Sequence, residues 1–420
     1  MIPDTDIAVN GTPTGWRTVP FWSLFRREKK TGFPNEELLS VYRDHGVIPK
    51  SSRDDNHNKE SEDLSGYQLV TEGALVTNKM KAWQGSIAIS RYRGIVSPAY
   101  YVYTPQSDEC DQFLHYLLRS DPYIGLYSRI SKGVRVNQWD LEHEALRNIP
   151  VVLPDLSTQR KIADFLDRET ARIDLLIEKK QRLVALLAEK IRAFTFKAVT
   201  QGISPSVPMK RSSLLYQETL PEHWQEVALG KKMTLQRGVD ITKDEQNQDG
   251  QYPVISSGGI SSYHDQFTCR GPGVLIGRKG SAGRLHYSES NFWAHDTTLY
   301  VKNFFGNDPK FAFYKLATID LESFDRSSAN PTINRNFVHP VKVSWTQDLT
   351  EQQEIVSSIE RLESQIEPIE AATNASIDRL KEYRSALITA AVTGQIDAET
   401  YTKQGMAERQ LDTFEVEVSQ

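Results

Sequence analysis

Two stretches of this chain repeat each other without a gap, and the repeat limits what the chain can fold into. The first, LSTQRKIADFLDRETARIDLLIEKKQRLVALLAEKIRAFTFKAVTQG, runs from Leu156 to Gly202; the second, LTEQQEIVSSIERLESQIEPIEAATNASIDRLKEYRSALITAAVTGQ, runs from Leu349 to Gln395. At a constant offset of 193 they match at Leu156/Leu349, Gln159/Gln352, Ile162/Ile355 and Ile173/Ile366, and both reach Ala-Val-Thr near their ends, at 198–200 and 391–393. An internal repeat of this length implies two similar halves built from similar parts.

Each stretch reads as one long helix. In the 4,3 series Ala163, Leu166, Thr170, Ile173, Ile177, Lys180, Val184, Leu187, Ile191, Phe194 and Ala198, nine of eleven positions are apolar. The matching series Val356, Ile359, Glu363, Ile366, Glu370, Thr373, Ile377, Leu380, Arg384, Leu387 and Ala391 has seven. Sustained 4,3 spacing with charges between is the coiled-coil pattern. About 43 helical residues span roughly 65 Å. One such helix cannot bury its stripe alone, and two in one chain bury it most simply as an antiparallel pair. Pro368 removes a backbone donor and should kink or interrupt the second helix.

A Pro-x-x-Trp tetrapeptide opens each half, at Pro13–Trp16 and Pro221–Trp224. With the repeat, this divides the chain into a globular segment (1–154), a long helix (155–202), a linker (203–220, ISPSVPMKRSSLLYQETL), a second globular segment (221–348), a second long helix (349–396) and an acidic tail (397–420). A chain of 420 residues has room for two or three domains. The tail holds six acids against two bases, which accounts for −4 of the net −5, so the remaining chain is nearly neutral and its basic residues matter only where they gather. Two cysteines, Cys110 and Cys269, make neither a disulfide framework nor a zinc site. With no signal-peptide core in the first twenty residues and no apolar run near the length of a membrane helix, a cytoplasmic location is expected.

Both globular segments read as mixed α/β with strands dominant. In the first, 54–63 (DDNHNKESED) reads as a surface loop; Tyr67–Gly73, Ala74–Lys79 and Ser86–Ser90 read as strands about glycine turns, followed by a β-branched, aromatic run at 95–103 and an amphipathic helix at 111–120. In the second, Gly271–Gly283, Phe292–Val301 and Asp308–Thr318 follow in the same order. The expected fold is therefore two similar α/β domains and two long helices packed as an antiparallel coiled coil, with approximate two-fold symmetry.

Catalytic signatures are missing. There is no Gly-x4-Gly-Lys-Ser/Thr loop and no strand followed by Gly-x-Gly-x-x-Gly. Asn330-Pro-Thr is a poor likeness of a methyltransferase Asn-Pro-Pro-aromatic motif, and no metal ligand set is expected. Instead, bases gather beside glycine turns. Residues 67–94 hold Lys79, Lys81, Arg91 and Arg93 against one acid, Glu72; residues 269–284 hold Arg270, Arg278, Lys279 and Arg284 and no acid. Glycine lets a backbone approach a phosphate closely, and nearby Lys or Arg neutralises it. Small, polar and basic residues also lie at 131–135 and 326–335, and the loop 256–264 is polar and tipped with aromatics. The candidate DNA contacts are Lys79, Lys81, Trp83, Arg91, Arg93, Lys132 and Arg135 in the first half, and Ser257, Tyr263, His264, Arg278, Lys279, Ser281, Arg284, Asn330, Thr332 and Arg335 in the second. A scaffold whose globular segments bind only protein is the competing reading.

Several motifs carry a resemblance: the two Pro-x-x-Trp openings, YPVISSGGISSYHD (252–265), GVLIGRKGSAG (273–283), and above all the apolar strands that lead into Leu-Ser/Thr-x-Gln-x-x-Ile and a long helix, IPVVLPDLSTQRKIADFLD (149–167) and VSWTQDLTEQQEIVSSIE (343–360). Through them the chain resembles the specificity subunits of type I restriction–modification enzymes. In the first half, Lys79-Met-Lys-Ala-Trp departs from the Arg-Lys-Gly-Ser-Ala turn of the second. The resemblance implies a non-catalytic subunit with two target-recognition domains, each reading one half of an asymmetric, bipartite duplex DNA target. It implies two modification (methyltransferase) subunits docked on the helices and two restriction (ATP-dependent translocase/nuclease) subunits joining them. S-adenosylmethionine, ATP and magnesium would then sit on those partners, with no cofactor on this chain. Candidate partner contacts are the stripe residues Ile173, Ile177, Leu187, Ile191, Ile366, Ile377 and Leu387. The weaker second stripe, with Glu363, Glu370, Arg384 and Pro368, implies that the helix pair is not self-sufficient.

Overall fold

The computed structural model describes residues 12–43, 45–53, 61–135, 138–242, 247–324, 332–398 and 401. The chain forms two compact units: one gathers the residues up to Lys179 and from Ser376 onward, the other holds Lys180–Ala375. Both long helices, Leu156–Gln201 and Leu349–Val392, pass from one unit into the other, so each unit contains part of both.

The first unit is built on a four-stranded antiparallel sheet ordered Phe25–Arg27, Tyr100–Pro105, Leu75–Asn78, Ile87–Ile89. The strands Leu75–Asn78 and Ile87–Ile89 are buried on both faces, and successive residues explain why. Leu75, Ile87, Ile89 and Tyr103 face a core shared with the helix Asp111–Leu117 and the long helices. Val76, Ala88 and Val102 face a second core under the hairpin Leu39–Tyr42/Gly46–Pro49. Period-two alternation with both faces covered makes Leu75–Val76 and Ile87–Ile89 continuously apolar, whereas the edge strand exposes Arg26 and Arg27. Arg17–Pro20 pairs with Pro150–Leu153, which closes the segment just before the first long helix. A helix at Asp121–Ile130, which the sequence reading left out, begins after Ser120 with Pro122 in its first turn.

The second unit repeats this plan. Its sheet is ordered Thr234–Arg237, Thr298–Asn303, Gly273–Gly277, Leu285–Ser288, the same order in strands that start 198 residues after Leu75, Ile87 and Tyr100. Val274, Ile276, Leu299 and Val301 face one core and Leu275 and Tyr300 the other. The hairpin Tyr252–Ser256/Gly259–His264 takes the place of the hairpin at 39–49: a parallel bridge joins Val254 to Trp293 here and Leu38 to Ile95 there. Gln225–Ala228 pairs with Lys342–Trp345 and closes the segment.

Residues 203–220 are not a plain linker. Met209–Arg211 pairs with Thr219–Pro221, Leu220 is fully buried, and Gln217 donates to the Thr200 carbonyl and accepts from the Ser344 hydroxyl. Polar composition misled the reading there, because these polar groups satisfy the end of a helix rather than solvent.

Within each unit the long helices run antiparallel. In the first, Phe165 packs on Tyr401 and, further along, Asp174 pairs with Arg384 at 2.9 Å. In the second, Ala198 and Val199 share a core with Ile355, Val356 and Ile359. The 4,3 series holds, with three corrections. Pro368 does not interrupt the second helix; it and Ser364, whose carbonyl loses its helical donor to the proline, are both exposed residues. Glu363 and Arg384 do not weaken the stripe, since Glu363 accepts from the Tyr314 hydroxyl and Arg384 holds Asp174. Finally, Ile173, Ile366, Ile377 and Leu387 are only 3–5% exposed, so their apolar surface is spent inside the chain and is not open to a partner. Ile177, Leu187 and Ile191 stay half-buried, and Leu175 and Leu186 on the same helix are 51% and 47% exposed. Among the described residues no helix is long and apolar enough to cross a membrane.

Candidate nucleic-acid interface

In both units a basic residue follows directly on the central strand and turns its head group onto the loop that leads into the next strand. In the first unit Lys79 Nζ donates to the carbonyl of Pro98 at 2.7 Å and lies 4.7 Å from the centre of the Tyr101 ring. In the second, Arg278 Nη1 donates to the carbonyl of Asp296 at 3.3 Å. Pro98 and Asp296 are again 198 residues apart, so the two corners match atom for atom in role. Each corner is closed by a third segment: Leu141 N–H donates to the Lys79 carbonyl, and Ile333 N–H donates to the Arg278 carbonyl. The resulting surface carries a cation and a short loop of backbone groups in both units, and aromatic rings in the first.

The second corner is the fuller one. Ser257 N–H donates to the Thr297 hydroxyl, and the Ser257 carbonyl accepts from His286. Lys279, exposed, forms a bridge to Thr332, and Ser281 and Arg284, also exposed, complete the turn. Gly277 is required here, since a Cβ would lie 2.1 Å from the Ser281 carbonyl. Arg237 pairs with Asp296 at 2.8 Å, and His295 Nδ1 lies 3.2 Å from the same carboxylate. Burial first, and then the nearby Arg237 charge, lower the Arg278 pKa from its ordinary value. Asp240, His295 and Asp296 could gather three ligand atoms, but one Asp296 oxygen is already held by Arg237.

The first corner is flanked by rings. Arg27 lies over Tyr101 at 4.3 Å, on a ring that Lys79 also approaches, and burial first and then Arg27 lower the Lys79 pKa. Trp83 and Trp139 stand 4.7 Å apart, and Lys132, across the strand pair from Asp140, is ion-paired with Glu142 at 2.8 Å. Lys81 is exposed at the start of the turn.

Not every candidate joins these corners. Arg91 and Arg93 lie at the opposite end of the strand Ile87–Ile89 from Lys79 and Lys81, because the hairpin carries its chain back down the sheet. There Arg91 donates to Gln112 and Arg93 pairs with Glu36 at 2.7 Å, so the four bases of residues 67–94 form two groups. Tyr263 and His264 lie at the far end of their hairpin from Ser257, with His264 against Trp293 at 4.7 Å. Arg335 opens a short helix and donates to the Leu235 carbonyl. Asn330, the side chain of Arg135, most of the loop at 54–63 and most of the acidic tail lie outside the described residues.

The sequence reading missed Arg27, Tyr101, Trp139, Arg237, His295, Asp296 and Thr297. One signal was available: the polar pair His295-Asp296 breaks an otherwise apolar and β-branched run from Phe292 to Val301. Arg237 gave none, since its partner lies 59 residues away.

Comparison with known proteins agrees with this architecture. The profile of the type I restriction modification DNA specificity domain matches residues 13–185 and 221–379. Both matches open on the Pro-x-x-Trp tetrapeptides. The type I restriction enzyme StySPI specificity subunit of Salmonella potsdam is 21% identical over 437 residues, spanning 92% of this chain and 90% of its own length. A solved chain from work on complex assembly and conformational transition of the type I R-M system aligns with a TM-score of 0.62 at 17% identity, covering 92% of this chain and 100% of its own. The HsdS subunit from Thermoanaerobacter tengcongensis aligns with a TM-score of 0.49 at 16% identity, covering 93% and 99%.

Proposed function

This chain belongs to the type I restriction modification DNA specificity family, and from that premise we propose that it reads a bipartite, asymmetric duplex DNA target for a type I restriction–modification complex. Members of this family are specificity subunits, and catalysis is not their part. The observation that carries the reading is the repeated corner: Lys79 on the Pro98 carbonyl and Arg278 on the Asp296 carbonyl, set at the same point of two sheets of the same order. Similar frames meet similar backbones, while the side chains around them differ. Trp83, Trp139 and Lys132 surround one corner; Ser257, Lys279, Arg284, His295 and Thr332 surround the other. Two such faces would read two different half-sites, which makes the target asymmetric.

The exposed bases Lys81, Lys279 and Arg284 suit phosphate contacts, which give affinity without sequence information. Side chains that reach base edges supply the discrimination. Because each long helix is continuous through both units, its length would set the spacer between half-sites. The half-buried Ile177, Leu187 and Ile191, with exposed Leu175 and Leu186, are the surface where two modification subunits dock, and two restriction subunits join through them. S-adenosylmethionine, ATP and magnesium belong to those subunits in this reading.

The test is duplex binding by the full chain assembled with its modification subunits. The expected result is selection of one duplex sequence from a random pool, with affinity falling steeply as salt rises. Assembly without any sequence-selective, salt-dependent duplex binding would instead make the chain a protein scaffold.

A further inference from the structure

The recognition segments are fastened to the long helices by the same two contacts in both halves. Gln159 and Gln352 occupy matched positions in the first turns of those helices and are 0% and 1% exposed. Gln159 Oε1 accepts the N–H of Cys110 at 2.9 Å, while its Nε2 donates to the Pro154 carbonyl at 3.0 Å and to the Glu109 carboxylate. Gln352 Oε1 accepts the N–H of Asp308 at 2.8 Å, while its Nε2 donates to the Thr346 carbonyl at 3.0 Å and to Asn307 Oδ1 at 2.9 Å. Cys110 and Asp308 cap the helices Asp111–Leu117 and Pro309–Leu316, so each glutamine ties the start of a recognition-segment helix to the start of a long one.

The same helices meet again further on. The Tyr116 hydroxyl donates to Asp167 at 2.6 Å and stands 3.2 Å from the Thr170 hydroxyl. The Tyr314 hydroxyl donates to Glu363 at 2.7 Å, and Glu363 is the match of Thr170. From Gln159 to Thr170, as from Gln352 to Glu363, is about 16 Å along a helix. One contact is a pivot; two at that separation fix an angle. The glutamines cannot let go cheaply, because a buried amide and the backbone groups it serves would be left unpaired.

We propose that the pairs Gln159–Tyr116 and Gln352–Tyr314 are positioning residues, holding each recognition segment at one angle on its helix and so restricting the DNA target to a single spacer length. The proposal rests on the bipartite reading above. A spacer one base pair longer moves a half-site by about 3.4 Å and turns it by roughly 35° about the duplex axis. Only a recognition segment free to tilt could follow such a shift.

The experiment compares duplexes that carry the selected target with its spacer unchanged, lengthened by one base pair or shortened by one. The protein is the full chain assembled with its modification subunits. Gln352→Met and Tyr314→Phe remove the polar contacts at nearly constant volume, and Gln159→Met and Tyr116→Phe do the same in the other half. The expected result is that binding to off-length duplexes, relative to the native spacer, rises about tenfold while the preferred bases stay the same. Val343→Ala, in the core of the second unit, serves as control: it should lower the unfolding temperature and leave the spacer ratio alone. If a glutamine variant fails to fold, the tyrosine variants, which lose only a hydroxyl, carry the test. Folded variants whose spacer ratio stays within about twofold of the wild type would overturn the proposal. A wild-type target in one continuous block would contradict the bipartite reading itself, and is distinguishable from that result.

Discussion

Single residues divide by what they touch. Arg278 and Lys79 each spend a donor on a loop carbonyl, while Lys279 is exposed beside the same turn. Lys279→Ala should therefore lower the slope of log affinity against log salt by about one and leave the preferred bases unchanged. Fluorescence anisotropy at a series of salt concentrations checks it, and an unaltered slope would remove Lys279 from the phosphate contacts. Tyr116 gives a pH dependence. Burial, and then its hydrogen bond to Asp167, push its pKa up to about 12 from an ordinary 10. Between those values the folded state holds the proton and the unfolded state releases it, so this stability is complete below pH 10 and is lost as pH rises toward 12. The slope is at most about 1.4 kcal/mol per pH unit. Denaturant unfolding at alkaline pH should show that loss in the wild type and a flatter profile in Tyr116→Phe. At this scale the sequence revealed which turns are basic but not which bases are free of partners. Arg93 finds Glu36 and Arg237 finds Asp296 across the fold, and no local pattern announces such pairs.

Among elements, the two long helices were the most legible, because their 4,3 series states both their period and the face they bury. Its polar interruptions were not, since Glu363 and Arg384 are explained by Tyr314 and Asp174 in other parts of the chain. The apolar positions carry the stability. Leu387→Ala should cost about 2–5 kcal/mol through the cavity it leaves. Arg384→Ala should cost under about 1 kcal/mol, because its ion pair is part-exposed and water replaces it. Chemical unfolding of both variants separates the two contributions, and equal losses would contradict the assignment. The segment 203–220 shows the opposite failure. Its composition is that of a linker, yet Gln217 and Leu220 bind it to the end of the first helix and to the core beside it.

For the whole molecule, the repeat made two similar halves legible, and matched strands 198 residues apart in two sheets of one order confirm them. What the repeat did not reveal is how each half is put together. The compact units divide within the helices rather than at their ends, because each recognition segment packs on the start of one helix and the end of the other. Gly202 shows this in the second unit, where its neighbours are Pro221, Trp224 and Glu351; Gly394 shows it in the first, where they are Pro13 and Trp16. The Pro-x-x-Trp tetrapeptides are thus seats for a helix end. A recognition segment that meets the helices through the same seat and the same glutamine contact in both halves can be exchanged as a module. The most direct measurement is methylome sequencing of a host carrying the full system, before and after residues 224–345 are replaced by the corresponding segment of another family member. The account predicts a two-part methylated target in which one half-site changes and the other half-site stays the same. A swap that altered both half-sites would contradict it.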